Sequence, residues 1–209
     1  MRIVCFGDSN TWGYEAGTGH RLDDRYTRLL AAAMPEHEII EEGLNGRTTC
    51  YDDPFEEGRN GCKAIVPLLR THTPIDLFVI MLGSNDAKRI FSTNEYSLER
   101  GLRTLLQQAK GQGIFKNGYH APKFLLIQPP RMHPDFIKNR ETYMNFGQAG
   151  FDMLEQGGWH VKKVAEEMKT DYLLTDDICM AGPLDGLHMD LDNHRKLAEA
   201  LIKKIRGME

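Results

Sequence analysis

The chain has 209 residues, of which 41% are hydrophobic and 27% are charged, so it can bury the core of one globular domain. Its 26 basic and 30 acidic residues give a net charge of −4, which provides no electrostatic reason to expect nucleic acid or an anionic membrane as a partner. The longest apolar runs, such as residues 77–82, are far too short to span a membrane.

Short apolar runs that are typical of buried strands alternate along the chain with segments of helical period. In chain order, the predicted elements are a strand at 3–6, a helix at 22–33, a strand at 38–41, a helix around 65–69, a strand at 77–82, a helix at 98–109, a strand at 124–127, a helix at 161–168, a strand at 172–174 and a helix at 197–205. This alternation predicts a single α/β domain over residues 1–209, a three-layer α/β/α sandwich around a mainly parallel sheet of about five strands.

Loops rich in glycine and short polar residues follow the first three predicted strands. They read GDSNTWG (7–13), GLNGRTT (43–49) and GSNDAK (83–88). Because ligands bind outside the carboxyl ends of parallel strands, these three loops are expected to form one site at the same edge of the sheet.

Three of the candidate groups fit nucleophilic catalysis. Ser9 follows the first strand and needs a general base, which His188 in the run DGLH can supply. Asp185, three residues before that histidine, can hold the ring in the tautomer that leaves Nε2 free for the serine proton. Viewed alone, Ser9 also fits a helix cap and His188 an exposed turn residue. His194 has no aspartate at that spacing and falls at the start of the C-terminal helix, so it is not the expected base.

An acyl group attacked by serine also needs donors for the oxyanion that develops. The side chain of Asn85 and the backbone N–H groups of Gly46 and Ser9 are the candidates from the three loops. A turn or helix cap is the alternative for Asn85, and a requirement for positive φ is the alternative for Gly46.

The four blocks occur in one fixed order: GDS, a glycine loop, G-x-N-D and D-x-x-H. In this order the sequence resembles the GDSL/SGNH hydrolases, over nearly the whole chain from residue 7 to residue 188. Within that family, GDSN-TWG, EEGLNGRTT and DGLH look most like the small arylesterase and acyltransferase (perhydrolase-like) branch. One departure is Asn10, which stands where the family usually has leucine; this leaves the triad assignment intact and the substrate open.

The resemblance implies a flavodoxin-like fold and a serine esterase that hydrolyses, and can transfer, short acyl groups through an acyl-enzyme on Ser9. His188 and Asp185 would complete the triad, and Ser9, Gly46 and Asn85 would form the oxyanion hole. We assign Trp12 and Asn45 to substrate binding. The segment 129–140 is expected to overhang the site, either as a lid or as a plain connection.

Two alternatives stay open at this point. The same catalytic set would serve a carbohydrate O-acetyl esterase, and a non-catalytic flavodoxin-like module could hold a phosphate or nucleotide in its glycine loops. Neither nucleotide-binding fingerprint, G-x-x-x-x-G-K-[ST] or G-x-G-x-x-G, matches these loops, and no G-x-S-x-G elbow is present.

No cofactor or metal is expected, and the partner is expected to be a small-molecule ester, without nucleic acid or membrane. Four cysteines without a C-x-x-C pair, and the absence of a leader-like apolar segment, indicate reduced thiols in a cytoplasmic protein. Relatives in the branch often assemble, which implies a homo-oligomer.

Overall fold

A five-stranded parallel sheet organises the molecule, which a computed structural model describes for residues 1–111, 115 and 119–208. Its strands are β1 (Arg2–Gly7), β2 (Glu38–Gly43), β3 (Leu77–Met81), β4 (Lys123–Ile127) and β5 (Asp171–Leu173). They lie in the order β2-β1-β3-β4-β5, and every neighbouring pair is parallel. The predicted fold class is confirmed.

Seven α-helices connect and cover the strands in the described part of the chain. They are α1 (Ser9–Trp12), α2 (Tyr26–Ala33), α3 (Gly61–His72), α4 (Glu95–Ala109), α5 (Arg140–Glu155), α6 (Gly157–Glu167) and α7 (Leu191–Arg206). Short 3₁₀ turns occur at Asn85–Ala87, Arg89–Phe91 and Pro134–Lys138. No helix among the described residues is both long and apolar enough to cross a bilayer.

The sheet has an apolar core on each face because successive side chains of a strand point to opposite sides. In β1, Ile3 and Cys5 pack on the face covered by α2 and α7, whereas Val4 and Phe6 pack on the face covered by α3, α4 and α6. Burial on both faces explains why β1 and β3 read as unbroken apolar runs.

Three helix predictions differ from the structure in instructive ways. Helix α2 begins at Tyr26, four residues after the predicted start at 22. The prediction began too early because Leu22, which lies in the preceding turn, is also buried and therefore extends the apolar pattern. Pro67 lies on the exposed side of α3 and does not end it. Helix α7 begins at Leu191, six residues before the predicted start at 197, and its N-cap is Asp190, whose side chain accepts from the Asn193 N–H.

The strand order determines where a crevice opens at the edge of the sheet. Strand β2 lies on one side of β1 and β3 on the other, so the order reverses beside β1 at the carboxyl ends of the strands. That reversal opens a crevice in open α/β sheets. The loops that follow β1, β2 and β3 all reach it.

Candidate active site

Ser9 begins α1 immediately beyond the end of β1. Asp8 caps this short helix by accepting a hydrogen bond from the Asn10 N–H at 2.9 Å. The strand-to-helix turn leaves the Ser9 side chain at the sheet edge, where it lines an open cleft although the residue is only 7% exposed.

The structure brings Ser9 together with the predicted histidine and aspartate. The Ser9 Oγ lies 2.9 Å from Nε2 of His188, and Nδ1 of His188 lies 2.6 Å from Oδ2 of Asp185. The second oxygen of Asp185 accepts from the backbone N–H groups of Leu187 and His188, at 2.9 and 3.0 Å. Since both carboxylate oxygens are held, the ring orientation and its tautomer are fixed from one short loop.

These contacts also determine the charge state of the acid. Burial by itself would raise the pKa of Asp185, but the hydrogen bond and the charge of His188, together with the backbone N–H groups of His188 and Leu187, hold it below the ordinary value. Asp185 is therefore ionised at neutral pH and can stabilise a proton on the imidazole.

Asn10 connects the serine helix to the histidine loop. Its Oδ1 accepts from the Met189 N–H at 2.9 Å, and its Nδ2 donates to the Leu187 carbonyl at 3.4 Å, so its amide spans both neighbours of His188. A leucine here could make neither bond. The departure from the family pattern therefore carries a positioning contact that the sequence did not reveal.

Gly46 and Asn85 line the same cleft as Ser9. The Asn85 Nδ2 donates to the Arg47 carbonyl at 3.2 Å, which engages one of its two N–H bonds and fixes the amide. Asp86 links the two loops by accepting from the Thr49 N–H at 2.8 Å and from the Thr49 hydroxyl. Burial raises the pKa of Asp86 to about 7, against the lowering effect of these two bonds.

The backbone conformation and the surroundings of position 46 favour glycine. Its φ is +80°, and a Cβ atom there would lie 2.3 Å from Nε of Arg59. The guanidinium of Arg59 is held by ion pairs with Asp53 and Glu56. Arg59 thus packs against the loop that presents the Gly46 N–H.

Two further charged residues after β2, Arg47 and Asp52, have structural contacts. Arg47 donates to the Gly7 and Glu42 carbonyls and lies over the Phe6 ring, which ties the ends of β1 and β2 together. Asp52 is bound by Lys63 and Asn60. Among the described residues no cluster of His, Cys, Asp or Glu could hold a metal ion.

The cleft at the triad has a volume of about 500 Å³. Tyr14 lies on its wall, with its ring centroid 4.3 Å from that of His188. Of the two predicted substrate contacts, Asn45 lines the cleft and Trp12 does not. The chain turns after α1, so the Trp12 ring packs near Arg21 while Tyr14 reaches the histidine. Tyr14 thus lies at the cleft position that the sequence led us to expect for Trp12, and substrate contact by either residue stays a prediction.

A helix that was not predicted forms the wall opposite the serine. The first turns of α5 and its cap bring polar and aromatic side chains to the cleft, namely Asn139, Glu141, Thr142, Asn145 and Phe146. The apolar residues of α5 do not follow one helical stripe, since Tyr143 and Met144 are exposed and the helix is kinked at Gly147. Periodicity therefore gave no signal for it.

The segment 129–140 supports the triad and does not cover it. Of its residues, Asn139 lines the cleft. Phe136 packs against Gly186, whose φ is +76° and where a Cβ would lie 2.5 Å from the phenylalanine Cα, and the His133 N–H donates to the Gly186 carbonyl at 3.0 Å. This packing holds the turn that carries Asp185.

Comparisons with known proteins agree with this geometry. The model of the GDSL-like lipase/acylhydrolase family matches residues 5–196. A carbohydrate acetylesterase from Sinorhizobium meliloti, Est24, superposes with a TM-score of 0.93 at 30% identity, covering 100% of this chain and 99% of the other. The aryl esterase of M. smegmatis gives a TM-score of 0.93 at 32% identity over the same shares. No curated protein sequence matches the chain significantly.

Proposed function

Because the chain belongs to the GDSL-like lipase/acylhydrolase family, and is a carboxylic ester hydrolase with the SGNH fold, we propose that it cleaves short-chain esters through an acyl-enzyme on Ser9. The observation that supports this role is the continuous chain of short contacts from Ser9 through His188 to Asp185. A non-catalytic nucleotide-binding module is set aside by the family membership.

In the acylation step, Nε2 of His188 takes the Ser9 proton as the oxygen attacks the ester carbonyl. Asp185 stabilises the imidazolium that forms, since it stays ionised and bonded to Nδ1. The imidazolium then gives its proton to the departing alkoxide, which releases the alcohol and leaves the acyl group on Ser9.

The tetrahedral intermediate carries its charge on the former carbonyl oxygen. We assign its stabilisation to the N–H groups of Ser9 and Gly46 and to the second amide N–H of Asn85, which the Arg47 carbonyl leaves free. These donors are held before substrate arrives, because Arg59 packs on the Gly46 loop and Asp86 bonds to the Thr49 loop. Preorganisation of this kind lowers the barrier without reorganisation during reaction.

Deacylation repeats the steps with a water or an alcohol in place of the serine. His188 removes the proton of that nucleophile and returns it to the Ser9 oxygen as the acid leaves. Attack by an alcohol gives acyl transfer in place of hydrolysis.

The decisive experiment compares two serines that each follow a strand. The Ser9→Ala variant should lose hydrolysis of p-nitrophenyl acetate and labelling by a fluorophosphonate probe. Ser84, which follows β3, is the matched control, and Ser84→Ala should keep both. Labelling that persists in the Ser9→Ala variant would exclude Ser9 as the nucleophile.

A carbohydrate O-acetyl ester is a second candidate substrate. The cleft wall carries hydroxyl and amide groups from Thr18, Asn45, Asn139, Thr142 and Asn145, which suit a hydroxylated alcohol. Oδ1 of Asn45 is buried without a hydrogen-bond partner among the described residues. A screen of acetylated sugars against aryl acetates separates the two substrates. Self-association stays a prediction, which light scattering on the purified protein tests.

A further inference from the structure

Lys88 lines the catalytic cleft and has no partner for its charge. It follows the 3₁₀ turn Asn85–Ala87 and is half-buried, yet its ammonium group makes no hydrogen bond or ion pair with any residue that the structure describes. Half-buried lysines normally have a carboxylate or a carbonyl within reach, because removing an ammonium group from water is costly.

Two of the other charged groups of the cleft already have partners. Arg59 is neutralised by Asp53 and Glu56, and Asp185 is held by His188. Glu141 lies exposed on the α5 wall and forms no ion pair with the lysine. Among the described residues that line the cleft, Lys88 is therefore the cation whose charge is left for a ligand.

The surroundings make this charge costly. Burial lowers the pKa of Lys88 and repulsion by Arg59 lowers it further, while the attraction of Asp53, Asp8 and Glu56 acts from beyond contact distance. An anion bound to Lys88 would stabilise the charged ammonium group and so offset both the burial and the repulsion by Arg59. Lys88 and Asn85 line the same cleft, so an anion bound to the lysine would lie in the same cleft as the reacting ester.

We propose that Lys88 binds a carboxylate carried by the ester substrate, which makes the preferred substrate an anionic ester. This inference rests on the proposed function, because it names the substrate class of the same site. It assigns Lys88 to substrate recognition and gives it no part in proton transfer.

A carboxylate can belong to either part of the ester, and two substrate pairs distinguish the sources. On the alcohol side, 4-acetoxybenzoate is compared with the neutral 4-acetoxybenzamide. On the acyl side, p-nitrophenyl hemisuccinate is compared with the neutral p-nitrophenyl butyrate. For each pair, the ratio of kcat/KM for the anionic ester to kcat/KM for the neutral ester is measured in the wild type and in variants.

In at least one pair, Lys88→Met should lower this ratio roughly 10- to 100-fold, the range for a hydrogen bond to a charged group. Lys88→Arg should restore most of the ratio, and 0.5 M NaCl should reduce it in the wild type. Lys63 is the matched control, since it is exposed and pairs with Asp52 outside the cleft, and Lys63→Met should leave the ratio unchanged. An equal loss for both members of both pairs in Lys88→Met would overturn the proposal.

A binding measurement separates this inference from the proposed function. Calorimetry with 4-acetoxybenzoate and the hemisuccinate ester uses the Ser9→Ala protein, with and without Lys88→Met, and needs no catalysis. Tighter binding of an anionic ester that depends on Lys88 supports the inference even if Ser9 proves not to be the nucleophile. Binding that is the same with and without the lysine contradicts the inference and leaves the esterase mechanism standing.

Discussion

Two histidines that are six residues apart have opposite surroundings. His188 lies in the loop before α7, with its side chain 13% exposed and its two ring nitrogens hydrogen-bonded to Asp185 and Ser9. His194 lies in the first turns of α7 and is fully buried. Its Nδ1 accepts from the Tyr26 N–H at 3.3 Å, and its Nε2 has no partner among the described residues.

The difference shows how placement decides the role of a residue type. Burial lowers the pKa of His194 to about 4, so it is neutral over the physiological range and packs as an aromatic side chain against Tyr26. His188 has a carboxylate on one side and a hydroxyl on the other, which is the arrangement that a general base needs.

The largest effect that tests this contrast is on kcat. His188→Ala should lower kcat by roughly 10⁴- to 10⁶-fold, because the serine loses the group that takes its proton. His194→Ala should leave kcat within about tenfold and instead destabilise the fold by about 2 kcal/mol or more, because it leaves a cavity in the core. Steady-state kinetics and thermal melting on both variants check this. Similar losses of kcat in the two variants would erase the distinction.

The next effect concerns the oxyanion. Asn85→Ala should lower kcat by roughly 10²- to 10³-fold with little change in KM, because its free N–H is needed most when the oxygen carries full charge. Melting temperatures measured beside the kinetics show whether folding contributes. A stable variant with nearly normal kcat would leave Asn85 as a turn residue.

A smaller effect is expected from the link between the serine helix and the histidine loop. Asn10→Leu removes the bonds to Leu187 and Met189, so the loop that carries His188 loses these two links to the serine helix. We expect kcat to fall by roughly 10- to 100-fold, as for a small misplacement of reacting groups. If the family's usual leucine gives an equally active enzyme, the Asn10 contacts are dispensable for catalysis.

The smallest effect is on the pH dependence of stability and concerns His194. An unfolded histidine takes up a proton near pH 6.5, whereas the folded one does so only near pH 4. Within that window the unfolded state binds more protons, so stability is full above about pH 6.5 and declines as the pH falls, by at most about 1.4 kcal/mol per pH unit.

The matching variant is His194→Asn, whose Oδ1 takes the place of the imidazole Nδ1 and can still accept from the Tyr26 N–H. Its melting temperature should fall less than that of the wild type between pH 7 and pH 5. An identical fall in both proteins would mean that other groups cause the acid sensitivity.

Much of the fold followed from residue pattern. The apolar runs of β1, β3 and β4 are buried on both faces, so burial and β-propensity pointed to the same element. Helix α5 was not predicted from the residue pattern. Its kink at Gly147 and its exposed Tyr143 and Met144 interrupt the row of apolar residues along one helix face on which such a prediction relies. Hydrophobic periodicity reports the packed face of a helix and gives no signal for side chains that line a cleft.

The order of four short blocks carried the family resemblance, and that resemblance selected Ser9, His188 and Asp185 for the site. The structure brings these three side chains together. What the tertiary structure alone decided were contacts between segments far apart in the chain. Arg59 packs on Gly46 and the Asn10 amide reaches residues 187 and 189. That Tyr14 lines the cleft, whereas Trp12 does not, depends on how the chain turns after α1. Local sequence encodes which residue types stand at a strand end, but distances across the cleft depend on how the whole sheet and its helices pack.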